Sequence, residues 1–258
     1  MIENTPDLWL KVLPSPQKEA HKYNRGHALI FGAPELTGAT RLASEACARV
    51  GAGLTTVLSN PETAPIYKAS LPAHIMVRDD VSWRDQRITA MLFGPGGLPV
   101  RPEFQAKIPV VLDADALQNM PSSLSADYVL TPHEGEFKRA FPHLSGSRED
   151  LALTAAKQMG AFIVLKGPQT IIASPDGQIA INNNAPPTLA TAGSGDVLAG
   201  LITGLLAQGM PSFQASCAAV WMHGRAAQIM GPGLVASDLP DLIPHVLQEL
   251  LGFPSDIG

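Results

Sequence analysis

The chain has 258 residues, 45% of them hydrophobic and 16% charged, with 18 Lys and Arg against 23 Asp and Glu. That composition is globular rather than disordered, and a net charge of −5 offers no basic field for nucleic acid or an anionic membrane. A phosphate ligand therefore has to be held by a local arrangement of groups.

Residues 1–26 are polar and punctuated by Pro6, Pro14 and Pro16. They read as a lead-in segment, given most narrowly as residues 1–13 of the domain. His27–Phe31 and Leu54–Leu58 read as buried strands, separated by an alanine-rich helix from Thr40 to Val50. Further strands are expected at His74–Val77, Met91–Phe93, Val110–Leu112, Tyr128–Leu130 and Phe162–Leu165, with a helix over Arg148–Met159. Continuous apolar strands joined through helices imply a mainly parallel sheet covered on both faces. Thr170–Ala173 and Gln178–Ile181, flanking Pro175-Asp176-Gly177, read as a hairpin. Beyond Asp196 the chain is expected to be helical through Gln208, from Ser212 to Ile229 and from Leu239 to Leu251. The stretch Val197–Met210 carries Gly200, Thr203, Gly204, Gln208 and Gly209. It falls short of the roughly 20 apolar residues of a membrane span, so it reads as a buried helix. Cys47 and Cys217 lie in alanine-rich helical stretches and read as buried apolar groups. With no disulfide framework and no secretory h-region, the expected compartment is the cytoplasm. No repeat or linker divides the chain, so one domain over 1–258 is expected.

In open α/β sheets, ligands bind beyond the carboxyl ends of the strands. Five such ends are polar or glycine-rich: Gly32, Gly94-Pro95-Gly96-Gly97, Asp113 with Asp115, Thr131-Pro132-His133, and Lys166-Gly167. The strongest signal is TAGSGDVLAG, Thr191–Gly200. Small residues at Ala192, Gly193, Ser194 and Gly195 let the backbone turn tightly, and the helix that follows directs its unpaired N–H groups into the turn. That is an anion hole for phosphate or for a charged transition state. Asp196 is either a helix-start acid or a general base facing the transferred group. Lys166, after the apolar strand FIVL, can reach phosphate oxygens. His133 in TPHEGEF either satisfies a loop hydrogen bond or contacts substrate. Glu136 is the candidate to hold Mg²⁺ through water, with Glu134 as its competitor. Asp113 and Asp115 are either a metal pair on one strand face, or one helix-capping and one pocket-lining acid. Zinc spacings, a Walker-type loop and a G-x-S-x-G elbow are all lacking.

In chain order, HKYNRG (His21–Gly26), FGAPELTGATRLASEACARVGAGLTTV (Phe31–Val57), FGPGGL, VVLDADAL, LTPHEGEF, LKGPQT, TAGSGDVLAG and GLVASDL together resemble the ADP-dependent NAD(P)H-hydrate dehydratase family. The resemblance runs from about Pro14 to Leu250. It implies a ribokinase-like three-layer α/β/α sandwich with a mainly parallel central sheet and no separate lid domain. It implies repair of NADH and NADPH hydrated at the nicotinamide ring, on the S epimer, with ADP and Mg²⁺ consumed to AMP and phosphate. By matching motif, Ala39, Gly96 and His133 would touch the hydrated dinucleotide, and Asp196 would act on the hydroxyl that is lost. Lys166, Gly167, Pro168, Gln169, Thr170 and Gly195 would hold the nucleotide phosphate, beside the backbone of Gly193 and Ser194. The family also implies a homotetramer, and an epimerase that would here be a separate protein. The chain departs from the family's usual pattern at Phe31-Gly32-Ala33, Leu36, Ala116 and Ser194.

Two other functions compete. A ribokinase-like kinase of a vitamin precursor would share the anion hole and Asp196 but consume ATP; TPHEGEF combined with TGATRLASEACARVGAG argues against it. A catalytically silent nucleotide sensor would have no use for Asp196.

Overall fold

The computed structural model describes residues 1–15, 19, 21–102, 107–118, 120–125 and 127–253; Pro16 of the lead-in lies outside them. Ten strands form one sheet: β1 (Ile2–Glu3), β2 (His27–Phe31), β3 (Leu54–Leu58), β4 (Ile75–Arg78), β5 (Ala90–Phe93), β6 (Val110–Leu112), β7 (Tyr128–Leu130), β8 (Phe162–Leu165), β9 (Thr170–Ala173) and β10 (Ile179–Asn182). Their spatial order is β1-β10-β9-β8-β7-β6-β5-β2-β3-β4. Only β9 runs against the rest, because it forms the hairpin with β10 and pairs antiparallel to β8.

The strands are apolar throughout because both faces are covered. Ala28 and Ile30 of β2 face one core, and Leu29 and Phe31 face the other. The first core is closed by α1 (Thr37–Arg49), α5 (Ser194–Ala207), α6 (Ser212–Met230) and α7 (Asp238–Leu251), the second by α3 (Glu134–Ala140) and α4 (Arg148–Met159). A small satellite under α2 (Ala64–Ser70) holds Val57, Tyr67 and Ile75. The glycines of α5 serve close packing: a methyl group on Gly200 would stand 2.1 Å from the Ala43 carbonyl oxygen, and one on Gly204 2.6 Å from that of Cys47. The backbones of α5 and α1 therefore touch, and α1 holds the start of α5 in place. Both cysteines are buried. None of the described helices is long and apolar enough to cross a membrane.

Two expectations need correction. The lead-in is built into the sheet: Ile2 pairs with Ala180, and Asn4 Nδ2 donates to Asn182 Oδ1 (2.9 Å) and to the Cys217 carbonyl (2.7 Å). Trp9, 1% exposed, donates from Nε1 to Asn4 Oδ1. A two-residue edge strand is too short to show any hydrophobic period. Helix α1 also begins at Thr37, three residues before the expected start. The polar, glycine-containing Thr37-Gly38 looks like loop but forms the first turn, which puts Ala39 on the helix.

Candidate active site

The expected strand ends converge. The Lys166 N–H donates to the Pro132 carbonyl (2.8 Å), which joins the loops after β7 and β8 and brings His133–Glu136 alongside Lys166. Lys166 Nζ donates to Asp113 Oδ1 at 2.8 Å and lies 3.9 Å from Glu136 Oε2. Asp113 is buried and also accepts from Thr131 Oγ1 at 2.7 Å. On the other side of the lysine is the start of α5, where a methyl group on Gly195 would stand 3.2 Å from Lys166 Nζ. Gly193 caps that helix with a left-handed backbone, φ 90°. A side chain there would be strained, and it would also meet Leu42 Cδ1 at 2.6 Å.

Asp196, on the first turn of α5, is the acid these neighbours tune. Burial, and then the Asp113 carboxylate, push its carboxyl up to about 7, with Glu136 adding to the rise and Lys166 opposing it. Burial pulls Lys166 down, but Asp113, Glu136 and Asp196 outweigh it and hold the ammonium above its ordinary value. A permanent cation thus sits beside an acid that exchanges its proton near neutral pH, the condition a general base requires.

Beside this cluster lies a largely apolar cavity of about 500 Å³, a size that suits a nucleotide. Lys166, Gly167, Pro168, Thr170, Ser194 and Gly195 line it, with Ala185, Pro186, Pro187, Leu189, Ala190, Leu198, Val220 and His223. Of the expected nucleotide residues, Gln169 turns aside: its Nε2 donates to Asn183 Oδ1 (3.0 Å). Gly193 sits below the cavity as the helix cap. Arg148 braces the Lys166–Gln169 loop from outside, donating to the carbonyls of Gln169 (2.7 Å), Lys166 (3.3 Å) and Leu165 (3.5 Å). The sequence reading passed over Arg148 as one more helical residue. The signal available was an arginine at the first position of a helix, where the macrodipole disfavours a cation.

The residues expected at the dinucleotide also assemble. A methyl group on Gly96 (φ 79°) would stand 3.0 Å from Ala39 Cβ and 2.3 Å from the Leu36 carbonyl oxygen. Thr40 ties them together, accepting from the Ala33 N–H (3.0 Å) and donating to the Pro95 carbonyl (3.1 Å). His133 caps α3: its Nδ1 accepts from the N–H groups of Gly135 and Glu136, and Glu136 Oε2 accepts from the His133 N–H (2.8 Å). With Nδ1 accepting, the ring proton is on Nε2, 3.3 Å from Glu136 Oε1. The loop-bond role of His133 is therefore present, and half of its side chain remains exposed. Glu134 pairs instead with Arg148 Nε (3.1 Å).

The metal-pair account of Asp113 and Asp115 fails, and the cap-and-lining account is half met. Ala114 has a left-handed backbone (φ 45°) that opens a 3₁₀ turn, so Asp113 and Asp115 do not share a strand face. Asp113 makes no side-chain cap and serves Lys166. Asp115 accepts from Gln118 Nε2 and lines a second hollow, of about 600 Å³, together with Glu136 and Arg139.

The sequence pattern of the NAD(P)H-hydrate dehydratase family matches residues 27–248. The ADP-dependent (S)-NAD(P)H-hydrate dehydratase of Neisseria meningitidis serogroup B is 33% identical, over 88% of this chain and 87% of that protein. The bifunctional NAD(P)H-hydrate repair enzyme of Moorella thermoacetica is 35% identical over 92% of this chain and 52% of that protein; the chain spans about half the length of the bifunctional relatives it matches. The ADP/ATP-dependent NAD(P)H-hydrate dehydratase of Bacillus subtilis, crystallised with ATP and Mg²⁺, superposes with a TM-score of 0.85 at 31% identity, over 96% of this chain and 98% of that one. The ribokinase-like fold expected from the sequence is the fold found. With the family pattern covering most of its length, the chain belongs to the NAD(P)H-hydrate dehydratase family.

Proposed function

We propose that the protein is an ADP-dependent (S)-NAD(P)H-hydrate dehydratase, restoring NADH and NADPH from their hydrated S forms while ADP becomes AMP and phosphate. One observation carries the reading: an aspartic acid with its carboxyl raised to about 7 stands at the mouth of a helix N-terminus, beside a nucleotide-sized cavity. Hydroxide is a poor leaving group. Asp196 takes the proton from the ring hydroxyl, whose oxygen attacks the terminal phosphoryl group of ADP and releases AMP. The ring phosphate then leaves with the electrons of its C–O bond, pushed by the ring nitrogen, and loss of a proton from the neighbouring carbon restores the double bond. The N–H groups at the start of α5, with Lys166, offset the charge that develops on the phosphoryl oxygens.

Mg²⁺ would supply further charge neutralisation on the diphosphate. Among the described residues no group of three or more His, Cys, Asp or Glu can cage a bare ion. The donor set fits an ion that arrives on the nucleotide with most of its water, facing Glu136 through one of those waters. The B. subtilis relative's crystallisation with ATP and Mg²⁺ supports an ion that accompanies the nucleotide.

The test is incubation with hydrated NADH, Mg²⁺ and either ADP or ATP, following the absorbance of restored NADH. ADP should support turnover with equimolar AMP and phosphate. Turnover with ATP alone would move the protein to the ATP-using branch. Phosphorylation of a vitamin precursor without NADH recovery would replace the reading with the kinase one.

A further inference from the structure

His223, on α6, is 7% exposed and lines the 500 Å³ cavity, and its Nε2 is buried with no partner among the described residues. An unpaired polar atom in an apolar wall is costly unless a ligand satisfies it. Burial first, and the nearby Lys166 charge last, hold the ring neutral, down to about 4, while a hydrogen bond to the Ser194 backbone works the other way. A bond that favours the protonated ring has the ring as donor, so it runs to the Ser194 carbonyl. Nε2 has no partner, so the donor is Nδ1. Nε2 therefore carries a lone pair and can only accept.

The position narrows the donor. Ser194 and Lys166 mark where the phosphates sit, while Pro187 and Val220 add apolar wall that suits a base. The hydrogen-bond donors of an ionised adenosine phosphate are the two ribose hydroxyls and the amino group at the far tip of the base. A ring in contact with Ser194 meets the sugar. We propose that His223 Nε2 accepts a hydrogen bond from a ribose hydroxyl of the bound nucleotide and so selects ribonucleotides over deoxyribonucleotides. The inference rests on reading this cavity as the nucleotide's.

The test is titration calorimetry with ADP, 2′-deoxy-ADP, 3′-deoxy-ADP and inosine diphosphate. For the wild-type protein, loss of one ribose hydroxyl should weaken binding roughly five- to tenfold, the worth of one neutral hydrogen bond. His223→Leu should bind ADP and that deoxy analogue equally, and His223→Asn, which keeps an acceptor, should recover part of the difference. The inference falls if both deoxy analogues bind the wild type as ADP does, or if the discrimination survives in His223→Leu. It falls equally if only the change from amino to carbonyl in inosine diphosphate weakens binding. Should ADP fail to bind the wild-type protein at all, the nucleotide reading of the cavity fails and takes the inference with it. The wild-type series alone decides the first point, so a variant that does not fold leaves the proposal testable.

Discussion

The two ends of the cavity are built on opposite terms. At the polar end the charged groups are satisfied before any ligand arrives: Lys166 is bonded to Asp113, Asp113 to Thr131, and Glu136 to His133. At the other end prolines and leucines form an apolar wall. Where that wall meets Ser194, His223 presents an acceptor with no partner among the described residues. A preorganised polar end needs no rearrangement when charge develops, which is where electrostatic catalysis gains most. An apolar end with one unmet acceptor gains on binding. Substitutions at the first should cost rate, and those at the second affinity.

Asp196→Asn tests that division most severely. Asparagine keeps the shape but cannot take a proton, so turnover should fall by about 10²–10⁴-fold, the range for general acid–base catalysis. ADP affinity should stay within about fivefold, because one neutral hydrogen bond, at roughly 1 kcal/mol, is the most the change removes from the helix start. Turnover and calorimetry on the same folded variant measure both, and a joint loss would merge the two ends into one. Lys166→Ala should blur the division in a predictable way. A charge-assisted contact to phosphate contributes roughly 1.5–3 kcal/mol, so ADP should bind about ten- to a hundredfold more weakly. Calorimetry with ADP checks this, and an unchanged Kd would confine the lysine to its ion pair with Asp113.

What the sequence revealed follows the same line. The central strands, their apolar runs and the glycine-rich turn before Asp196 were legible because period and local chemistry specify them. Lys166 was legible as a polar residue following a buried strand. Asp113 was seen, but its partner lies 53 residues away, and the left-handed Ala114 that separates it from Asp115 leaves no mark in an alanine. Trp9 and Ile2 were unreadable for a related reason: Ile2 pairs with Ala180, and Trp9 bonds to Asn4, which is itself held by the distant Asn182 and Cys217. His223 sits in an alanine-rich helix, where a histidine usually means a satisfied core group. Only the cavity in front of it indicates otherwise.

The smallest effect expected is the most diagnostic of how the polar end works. Asp196 must be ionised to accept a proton, so turnover should rise as pH passes through about 7, where its carboxyl titrates. After burial, the nearby Asp113 carboxylate is the main cause of that high value. Asp113→Asn removes the negative charge and keeps an oxygen that can accept from Thr131 and Lys166. The Asp196 carboxyl should then ionise more readily, and the rising limb of the pH–rate profile should move to lower pH. Lys166 complicates the sign. If it lost its proton along with its partner, the attraction that lowers Asp196 would vanish and the limb would move up. Glu136 at 3.9 Å and Asp196 itself still favour the ammonium, so the downward shift should prevail. Profiles of kcat against pH for the two proteins decide it. An upward shift would show that Asp113 acts chiefly by keeping Lys166 charged, and an unmoved limb would mean that a group other than Asp196 sets it.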